Sequence, residues 1–529
     1  MSYLDIGLSG IRANQVALRM IGHNIANAGT EGYHRQDVRL ADRLPVTLQG
    51  LSLGTGVDVA RIERLVQQTV ESALTSNTSV ASRVDAQRSA WRSIETILLP
   101  GEGSLEATAA DLFDAIAQLA SQPGERSLSD QVVQSASRLT AEFNRSWQAL
   151  DDFASGLIAE VETAVSEVNR LAGELAPLRD EIRQELALGR QPNDLLDRRD
   201  ALVSQLARLV DVDRQTGNAA GTVLTAAGGT FIIAPGAEPL TAVCVEGEIS
   251  LRLSDSDQSV NPRAGKLAGI LASVADIRQL QTDLADWFDA LRQPFDQIQA
   301  TGLSGSGPLT STRSVHSVAS DALPIAGGLV AGEFYVTVTN LATQQRTTQA
   351  IAIDPNVDKL GDIVSRLDAV PGLNAVWDAA TGHLSLFAAD GVKFDFAGRL
   401  DQEPLTAGSA GTATATIGGQ YTGGVNTLWR VTAIDAGETG VSSPLKLEVR
   451  EAASGTLLRT VDAGVGYEAG TGIDLGDGVL LQLTPGTLLA GDEWTIRPVA
   501  EPDPTGFLAS LGISSFFVGD APGAYAVRD

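Results

Sequence analysis

Apolar side chains recur at alternating steps of four and three residues near the start of the chain, between positions 4 and 25. At this spacing they share one side of an α-helix, so the pattern predicts an amphipathic helix of about six turns. Gly7, Gly10 and Gly22 interrupt it, and each lowers helix stability by roughly 1 kcal/mol relative to alanine. We therefore expect a helix that needs a partner helix. The apolar members of the stripe are Leu4, Leu8, Ile11, Leu18 and Ile25.

The same spacing continues in longer segments further along. Heptad positions from 66 to 98 are mostly apolar, which predicts a helix with a coiled-coil seam. Twelve consecutive positions of this kind between 143 and 182 are all apolar, so a helix of at least 40 residues, spanning about 60 Å, is expected there. Shorter helices are predicted at 105–120, 194–210 and 265–300. Long antiparallel helices of this kind form a rod, which is a scaffold or assembly surface more often than a catalytic site.

After Gly217 the pattern changes to short alternating runs separated by glycine turns, which indicates β-strands. The predicted fold class is multidomain α+β: a long antiparallel coiled-coil-like helical rod in the N-terminal half, with inserted small α+β and β-sandwich-like domains. The predicted domains are an N-terminal helix and loop at 1–60, a long-helix bundle at 61–215, a small β excursion at 216–260, a returning helix at 261–305, an α+β module at 309–400, a β-sandwich-like module at 410–500 and a return segment at 501–529.

Composition limits the function classes. The 529 residues carry a formal net charge of -27, which argues against nucleic-acid binding and against docking on anionic membranes. The single cysteine, Cys244, excludes an intramolecular disulfide. The N-terminus lacks the basic start and unbroken apolar core of a cleaved signal peptide, and no apolar run is long enough to span a membrane.

No motif predicts an enzyme, a cofactor or a metal site. The four histidines are dispersed, without the short spacings typical of metal ligands. Residues 50–54 match G-x-S-x-G but lack the strand and helix of a nucleophile elbow. Residues 464–469 resemble a dinucleotide fingerprint without the helix that would hold a phosphate. The charged group around residues 194–200 fits helical ion pairing better than catalysis.

The most distinctive stretch follows the first helix and reads GHNIANAGTEGYHRQ, from Gly22 to Gln36. Asn27-Ala28-Gly29 ends the helix, because Asn and Gly tolerate the left-handed backbone found at helix C-termini. We interpret this stretch as the assembly end of a polymer subunit. For Arg35 and Gln36, packing within the chain is an equally good interpretation. The candidate assembly residues in this stretch are Asn24, Asn27, Thr30, Gly32, Tyr33, Arg35 and Gln36.

Residues 24–36 resemble the N-terminal signature of the bacterial flagellar axial proteins, the family of rod, hook and hook-associated proteins. A second segment, residues 192–200, reads PNDLLDRRD and resembles a segment typical of the hook-associated protein 1 family. Residues 264–271 and 506–519 also fit that family, whereas 309–500 resemble only its variable outer insertion. The residues that carry the second match are Asn193, Asp194, Leu195, Leu196, Asp197, Arg199 and Asp200.

The resemblance implies a structural subunit that joins hook to filament and polymerises with itself as a ring. It implies export through the flagellar type III apparatus without a cleaved signal peptide, with an export chaperone, and an extracellular place at the hook–filament junction. Hook protein and hook-associated protein 3 are the implied neighbours. In this family a C-terminal heptad helix normally pairs with the N-terminal helix. We expect that helix to be missing from these 529 residues.

Three alternatives stay open. The chain is another flagellar axial protein, of the hook or rod, or it is a secreted surface adhesin whose β modules at 309–500 bind a ligand. The third alternative is an enzyme with an unrecognised site in the β region, for which loss of activity on changing Ser52 or His383 would be required.

Overall fold

The structure is a computed structural model. It describes residues 3–30, 32–48, 51–98, 101, 103–215, 223–229, 231–233, 236–245, 247–303, 307–322, 329–401, 404–406, 409–519 and 521–528. The chain forms two compact units: the first comprises Met1–Ser104 and Arg145–Leu284, and the second Leu105–Asn144 and Ala285–Asp529. The seven-segment division made from the sequence is finer than this and stays a prediction.

The six longest helices lie where the apolar spacing predicts them, and the longest of all extends beyond its predicted ends. They are α1 (Tyr3–Ala26), α2 (Gln68–Ile97), α3 (Leu105–Ser121), α4 (Arg126–Ala187), α5 (Asn193–Leu209), α6 (Gly265–Ala300), α7 (Leu360–Asp368) and α8 (Phe507–Ser510). Within the described residues, none of them is long and apolar enough to cross a lipid bilayer.

The first unit has its core along α4. The predicted apolar positions of that helix are buried from Leu150 to Ile182, and they pack with residues of α5 and α6 such as Leu206 and Ile270. The apolar positions of α4 from Leu150 to Ile182 therefore lie in one core, where they contact apolar side chains from other parts of residues 145–284.

Short antiparallel strands complete the first unit. They are β1 (Gln36–Asp42), β2 (Val46–Leu48), β3 (Leu51–Leu53), β4 (Val57–Arg64), β5 (Val212–Gln215), β6 (Val223–Ala226), β7 (Phe231–Ile232), β8 (Leu240–Val245), β9 (Glu248–Leu253) and β10 (Ser259–Val260). β1 pairs with β4, β2 with β3, and two three-stranded sheets have the orders β5-β6-β7 and β10-β9-β8.

The second unit contains two further cores. The first is built on α7, α8 and two three-stranded sheets, and it includes Phe334, Phe394 and Phe507. The second lies between a five-stranded sheet and a three-stranded sheet. These correspond to the predicted α+β and β-sandwich-like modules. Together with the helical first unit they confirm the multidomain α+β class.

The strands of the second unit, in chain order, are β11 (Ser311–Arg313), β12 (Gly332–Asn340), β13 (Arg346–Ile353), β14 (Leu373–Asp378), β15 (His383–Ala388), β16 (Val392–Asp395), β17 (Leu405–Thr406), β18 (Ala415–Gly419), β19 (Trp429–Ala433), β20 (Gly437–Glu438), β21 (Lys446–Glu451), β22 (Leu457–Asp462), β23 (Ile473–Gly476), β24 (Val479–Leu483), β25 (Thr487–Leu488), β26 (Glu493–Ile496), β27 (Phe517–Val518) and β28 (Ala526–Val527). The sheets of the α+β core have the orders β11-β15-β14 and β13-β12-β16, and those of the sandwich-like core have the orders β17-β26-β19-β21-β22 and β18-β24-β23.

Helix α2 differs from the prediction in which of its faces is buried. Most of the expected coiled-coil seam faces solvent, although its last positions, Ile94 and Leu98, are buried and half-buried. A stripe of small residues, including Ser79 and Ala90, is buried as well. Gly269 of α6 explains why the small residues of α2 face the core, because a Cβ atom at Gly269 would lie 2.6 Å from the carbonyl oxygen of Arg83 and 2.8 Å from Cβ of Ala86. Small residues on both helices thus allow a close approach that the larger heptad side chains would prevent. The exposed apolar side chains of α2 are Val70, Leu74, Val80, Val84 and Trp91.

Candidate assembly site at the N-terminal helix

Helix α1 contacts the rest of the first unit along a narrow face. Ser9 and Ala13 are buried, and the Ser9 hydroxyl accepts a hydrogen bond from the backbone N–H of Val57 in β4, at 3.2 Å. The predicted apolar stripe lies elsewhere on the helix and is exposed: Leu4, Leu18 and Ile25 are 81%, 68% and 71% exposed. Leu8, Ile11 and Ile21 are exposed as well. A row of large apolar side chains along one helix, open to water, is the surface expected of an interaction site.

Asn24 fastens the end of α1 to the segment that follows it. Its side-chain amide donates to the carbonyl oxygen of Gln36 at 2.9 Å, and its Oδ1 accepts from the Gln36 N–H at 2.9 Å and from the Tyr33 hydroxyl at 2.7 Å. The Tyr33 hydroxyl also lies 3.0 Å from Nδ1 of His23. Burial, followed by the nearby charges of Asp197 and Asp194, raises the pKa of Tyr33, so the hydroxyl keeps its proton for donation.

Gly32 and the start of α5 bring the two sequence signatures together. Gly32 adopts φ +80°, a backbone conformation that other residues rarely take, and its Cα faces Ala201 of α5. The side-chain amide of Asn193 donates to Oε1 of Gln36 at 3.0 Å and to the carbonyl oxygen of Ile62 at 3.1 Å. Gln36 and Asn193 are both buried. Segments 157 residues apart in the chain therefore form one hydrogen-bonded joint.

A largely buried charged cluster lies beside this joint. Nδ1 of His34 is 2.8 Å from Oδ1 of Asp197, and its Nε2 is 3.3 Å from Oε1 of Glu71 in the first turn of α2. Arg64, at the end of β4, reaches Asp197 at 2.9 Å and Asp200 at 2.5 Å. Burial opposes the charge of Asp200, but Arg199 and Arg64 outweigh it and lower the pKa of that carboxyl group. Asp200 therefore stays ionised, and the contacts of the cluster tie the N-terminal segment to α2 and α5.

The other predicted residues occupy less central places. Arg35 and Asp194 are exposed, and Thr30 caps the turn with a 3.4 Å hydrogen bond to Oδ1 of Asn27. Leu195 and Leu196 are half-buried against the core of the first unit. Glu31 and Gly50 lie outside the described residues, as does the side chain of Ser52.

Sequence reasoning missed His34, Arg64 and Glu71. His34 falls inside the first signature, so its position was a usable signal. Arg64 and Glu71 gave none, because their partners lie 136 and 37 residues away. Within the described ranges, no three His, Cys, Asp or Glu side chains are grouped so that they could hold a metal ion.

Two protein families match parts of the sequence. Residues 91–311 match the family described as the flagellar hook-associated protein FlgK helical domain, and residues 4–34 match the flagella basal body rod protein family. Flagellar hook-associated protein 1 of Bacillus subtilis (strain 168) is 29% identical over 238 residues, 44% of this chain and 47% of that protein. The Salmonella typhimurium protein of the same name is 28% identical over 245 residues, which are 46% of this chain and 44% of that protein.

The chain thus spans about half the length of the curated relatives it matches. A solved structure of the flagellar hook junction protein FlgK from Burkholderia pseudomallei superposes over 84% of this chain and 90% of that one, with 15% identity and a TM-score of 0.44. The sequence matches confirm the resemblance that the two signatures predict.

Proposed function

We propose that this chain, a relative of flagellar hook-associated protein 1 through its helical part, is a structural subunit of the bacterial flagellum at the hook–filament junction. In this proposal the subunit assembles with copies of itself as a ring, between hook protein and hook-associated protein 3. It leaves the cell through the flagellar type III apparatus, assisted by an export chaperone, and acts outside the cell rather than as an enzyme.

The observation that carries the proposal is that α1 exposes an apolar stripe and is held by hydrogen bonds near its C-terminal end. Leu4, Leu18 and Ile25 face water, while Asn24, a neighbour in the same last turns, is bonded to the joint with Gln36. A helix held at one end and apolar along an open face is suited to docking on a neighbouring subunit. Fully burying one Leu or Ile contributes roughly 1.5–3 kcal/mol, so several such contacts offset the cost of ordering a glycine-containing helix.

The outer face of α2 offers a second surface for assembly. Val70, Val80, Val84 and Trp91 are exposed on the side of the helix opposite its buried small residues. Apolar residues at heptad spacing favour a partner helix. We therefore assign the N-terminal helix and the outer face of α2 to contacts with neighbouring chains, and the joint at Gln36 and Asn193 to setting their orientation.

The test is complementation of a bacterium that lacks its own hook-associated protein 1. The variant Leu18→Gln/Ile25→Gln removes two apolar contacts while keeping a residue that favours helix. The matched control is Val425→Gln/Val465→Gln, which changes two side chains of equal exposure, 68% and 69%, in the β-sandwich-like module. We expect the control to restore filaments on hooks and the α1 variant to restore few or none.

Assaying the culture medium separates export from assembly. An α1 variant that is secreted but does not build junctions supports an assembly role for the stripe, and one retained in the cell assigns the defect to export. Normal hook–filament junctions from the α1 variant, or from a chain lacking residues 1–36, would contradict the proposal.

A further inference from the structure

The charged cluster at the joint contains a histidine whose two ring nitrogens both face charged partners. His34 belongs to the N-terminal segment, Glu71 to α2, Asp197 to α5 and Arg64 to β4. All four side chains are mostly buried. Histidine is the side chain whose charge ordinarily changes between about pH 5 and pH 8.

Two partners compete for Nδ1 of His34. Oδ1 of Asp197 is 2.8 Å away and can only accept a hydrogen bond, whereas a terminal guanidinium nitrogen of Arg64 is 2.9 Å away and can only donate one. A protonated Nδ1 satisfies Asp197 and repels Arg64. An unprotonated Nδ1 satisfies Arg64 and presents its lone pair to a carboxylate.

Each proton state of the ring satisfies a different set of neighbours. The imidazolium donates from Nδ1 to Asp197 and from Nε2 to Glu71, so it links the N-terminal segment to both α5 and α2. The neutral ring with its proton on Nε2 still donates to Glu71 and accepts from Arg64 at Nδ1. Only the bond from His34 to Asp197 is lost, so the segment is held to α5 by fewer contacts, among them the bond from Asn193 to Gln36.

Arg64 makes this exchange possible because it has other partners in both states. Its terminal nitrogen lies 2.9 Å from Asp197 and 2.5 Å from Asp200, and Asp200 is also bonded to Arg199 at 2.8 Å. The carboxylates of α5 therefore keep a cation when His34 is neutral, and Glu71 keeps the hydrogen bond from Nε2–H.

We propose that His34 is a proton-operated latch between the N-terminal segment and α5. Protonation of Nδ1 forms the hydrogen bond between the segment and Asp197. Loss of that proton replaces this bond with one donated by Arg64, so the segment is held less firmly to α5. The bond to Glu71 remains in both states. The proposal does not depend on the flagellar role. It concerns how firmly the C-terminal end of α1 and the segment after it are held to α5, whatever the rest of α1 contacts.

The first test reads the protons directly in the full chain with ¹⁵N-labelled histidine. Only four histidines occur in the sequence, so their ring nitrogens can be assigned by single substitutions. As the pH is raised from 5 to 8.5, we expect His34 to lose the Nδ1 proton and keep the Nε2 proton. A neutral His34 that keeps its proton on Nδ1, or a ring that does not change across this range, would overturn the latch.

The second test measures how firmly the segment is held, from its backbone hydrogen–deuterium exchange rates corrected for the intrinsic effect of pH on exchange. Backbone protection at residues 32–36 should fall by about tenfold as His34 loses its proton, the change expected for one charged hydrogen bond. His34→Gln should remove this pH step, and the control His383→Gln, at a histidine of the second unit, should retain it. Asp197→Asn should move the step to lower pH. A step of the same size and midpoint in His34→Gln would contradict the proposal.

Discussion

The first helix and the segment from Phe507 to Phe517 have similar apolar content and opposite environments. In α1 the large apolar residues such as Leu4 and Leu18 are exposed. In the later segment, Phe507, Leu508, Leu511, Ile513 and Phe517 are all almost completely buried. Apolar content therefore does not decide burial by itself; an apolar surface of matching shape must also be available within the chain.

The later segment finds such a surface within the second unit. Phe507 stacks on Phe334 with ring centroids 5.2 Å apart, and Phe517 meets Phe288 edge-on at 5.5 Å. Helix α1 instead contacts its unit through the small or polar residues Ser9, Ala13 and Asn24. The comparison indicates that one segment stabilises the folded chain, whereas the other is held in place by polar contacts and keeps its apolar face available.

The largest expected effect comes from the buried segment. Phe507→Ala should lower the free energy of unfolding of the second unit by about 3–5 kcal/mol, because it removes a fully buried ring and leaves a cavity. Urea denaturation, followed by a probe in that unit, measures the change. A loss below about 1 kcal/mol would break the comparison, since the segment would then contribute no more than an exposed helix.

The next effect concerns Asp296, which anchors the same segment. Its Oδ1 accepts the backbone N–H groups of Phe516 and Phe517 at 2.9 and 3.0 Å, and burial raises its pKa to about 6. The folded protein then binds a proton below about pH 6, whereas the unfolded chain does so only near the ordinary value of 3.8. Folding takes up a proton between these values, so stability contributed by this group rises as the pH falls from about 6 to about 4.

Comparison with Asp296→Asn isolates this contribution, because asparagine keeps an acceptor oxygen and does not titrate. Relative to the variant, the wild type should gain up to about 3 kcal/mol between pH 7 and pH 4, the equivalent of about two pKa units. Carboxyl groups such as Asp358, whose pKa is lowered to about 2 by Arg366, act in the opposite direction and are common to both proteins. Parallel stability curves for the two proteins would contradict the assignment.

A smaller, local effect is expected at the base of α1. Asn24→Ala removes the bonds to Gln36 and Tyr33 and should lower the free energy of local opening by about 1–2 kcal/mol, with faster hydrogen exchange at Gln36. The control Asn14→Ala removes only an exposed bond to the carbonyl oxygen of Gly10 within the same helix. Equal effects from the two variants would mean that α1 is not held specifically at its base.

The sequence predicted much of the fold, and the exceptions have physical causes. The repeat of α4 is buried as expected from Leu150 to Ile182, because its positions are apolar without exception. Helix α2 has two stripes, one of large apolar residues and one of small residues around Ser79 and Ala90, and spacing alone does not tell which one faces the core. The close approach of Gly269 decides it, and that contact joins residues more than 180 positions apart.

The candidate site likewise has a part that follows from one sequence motif and a part that depends on the fold. The bonds among Asn24, Tyr33 and Gln36 lie within twelve residues and were foreseeable from one motif. The pairing of His34 with Asp197 spans 163 residues, so only the fold brings it about. Both signatures could be recognised separately, but their meeting at Gln36 and Asn193 follows from the packing of α5 against the N-terminal strands.

The smallest expected change in the isolated chain comes from the apolar stripe of α1 itself. Leu18→Ala should leave the free energy of unfolding within about 0.5 kcal/mol of the wild type, because the side chain is 68% exposed and alanine favours helix. Calorimetry or urea denaturation of the dilute monomer measures this. The same substitution should lower self-association measured by sedimentation at high concentration, since the leucine is available to a neighbour. A loss of several kcal/mol from the monomer would show that the stripe is packed within the chain, and the contrast between α1 and the Phe507 segment would disappear.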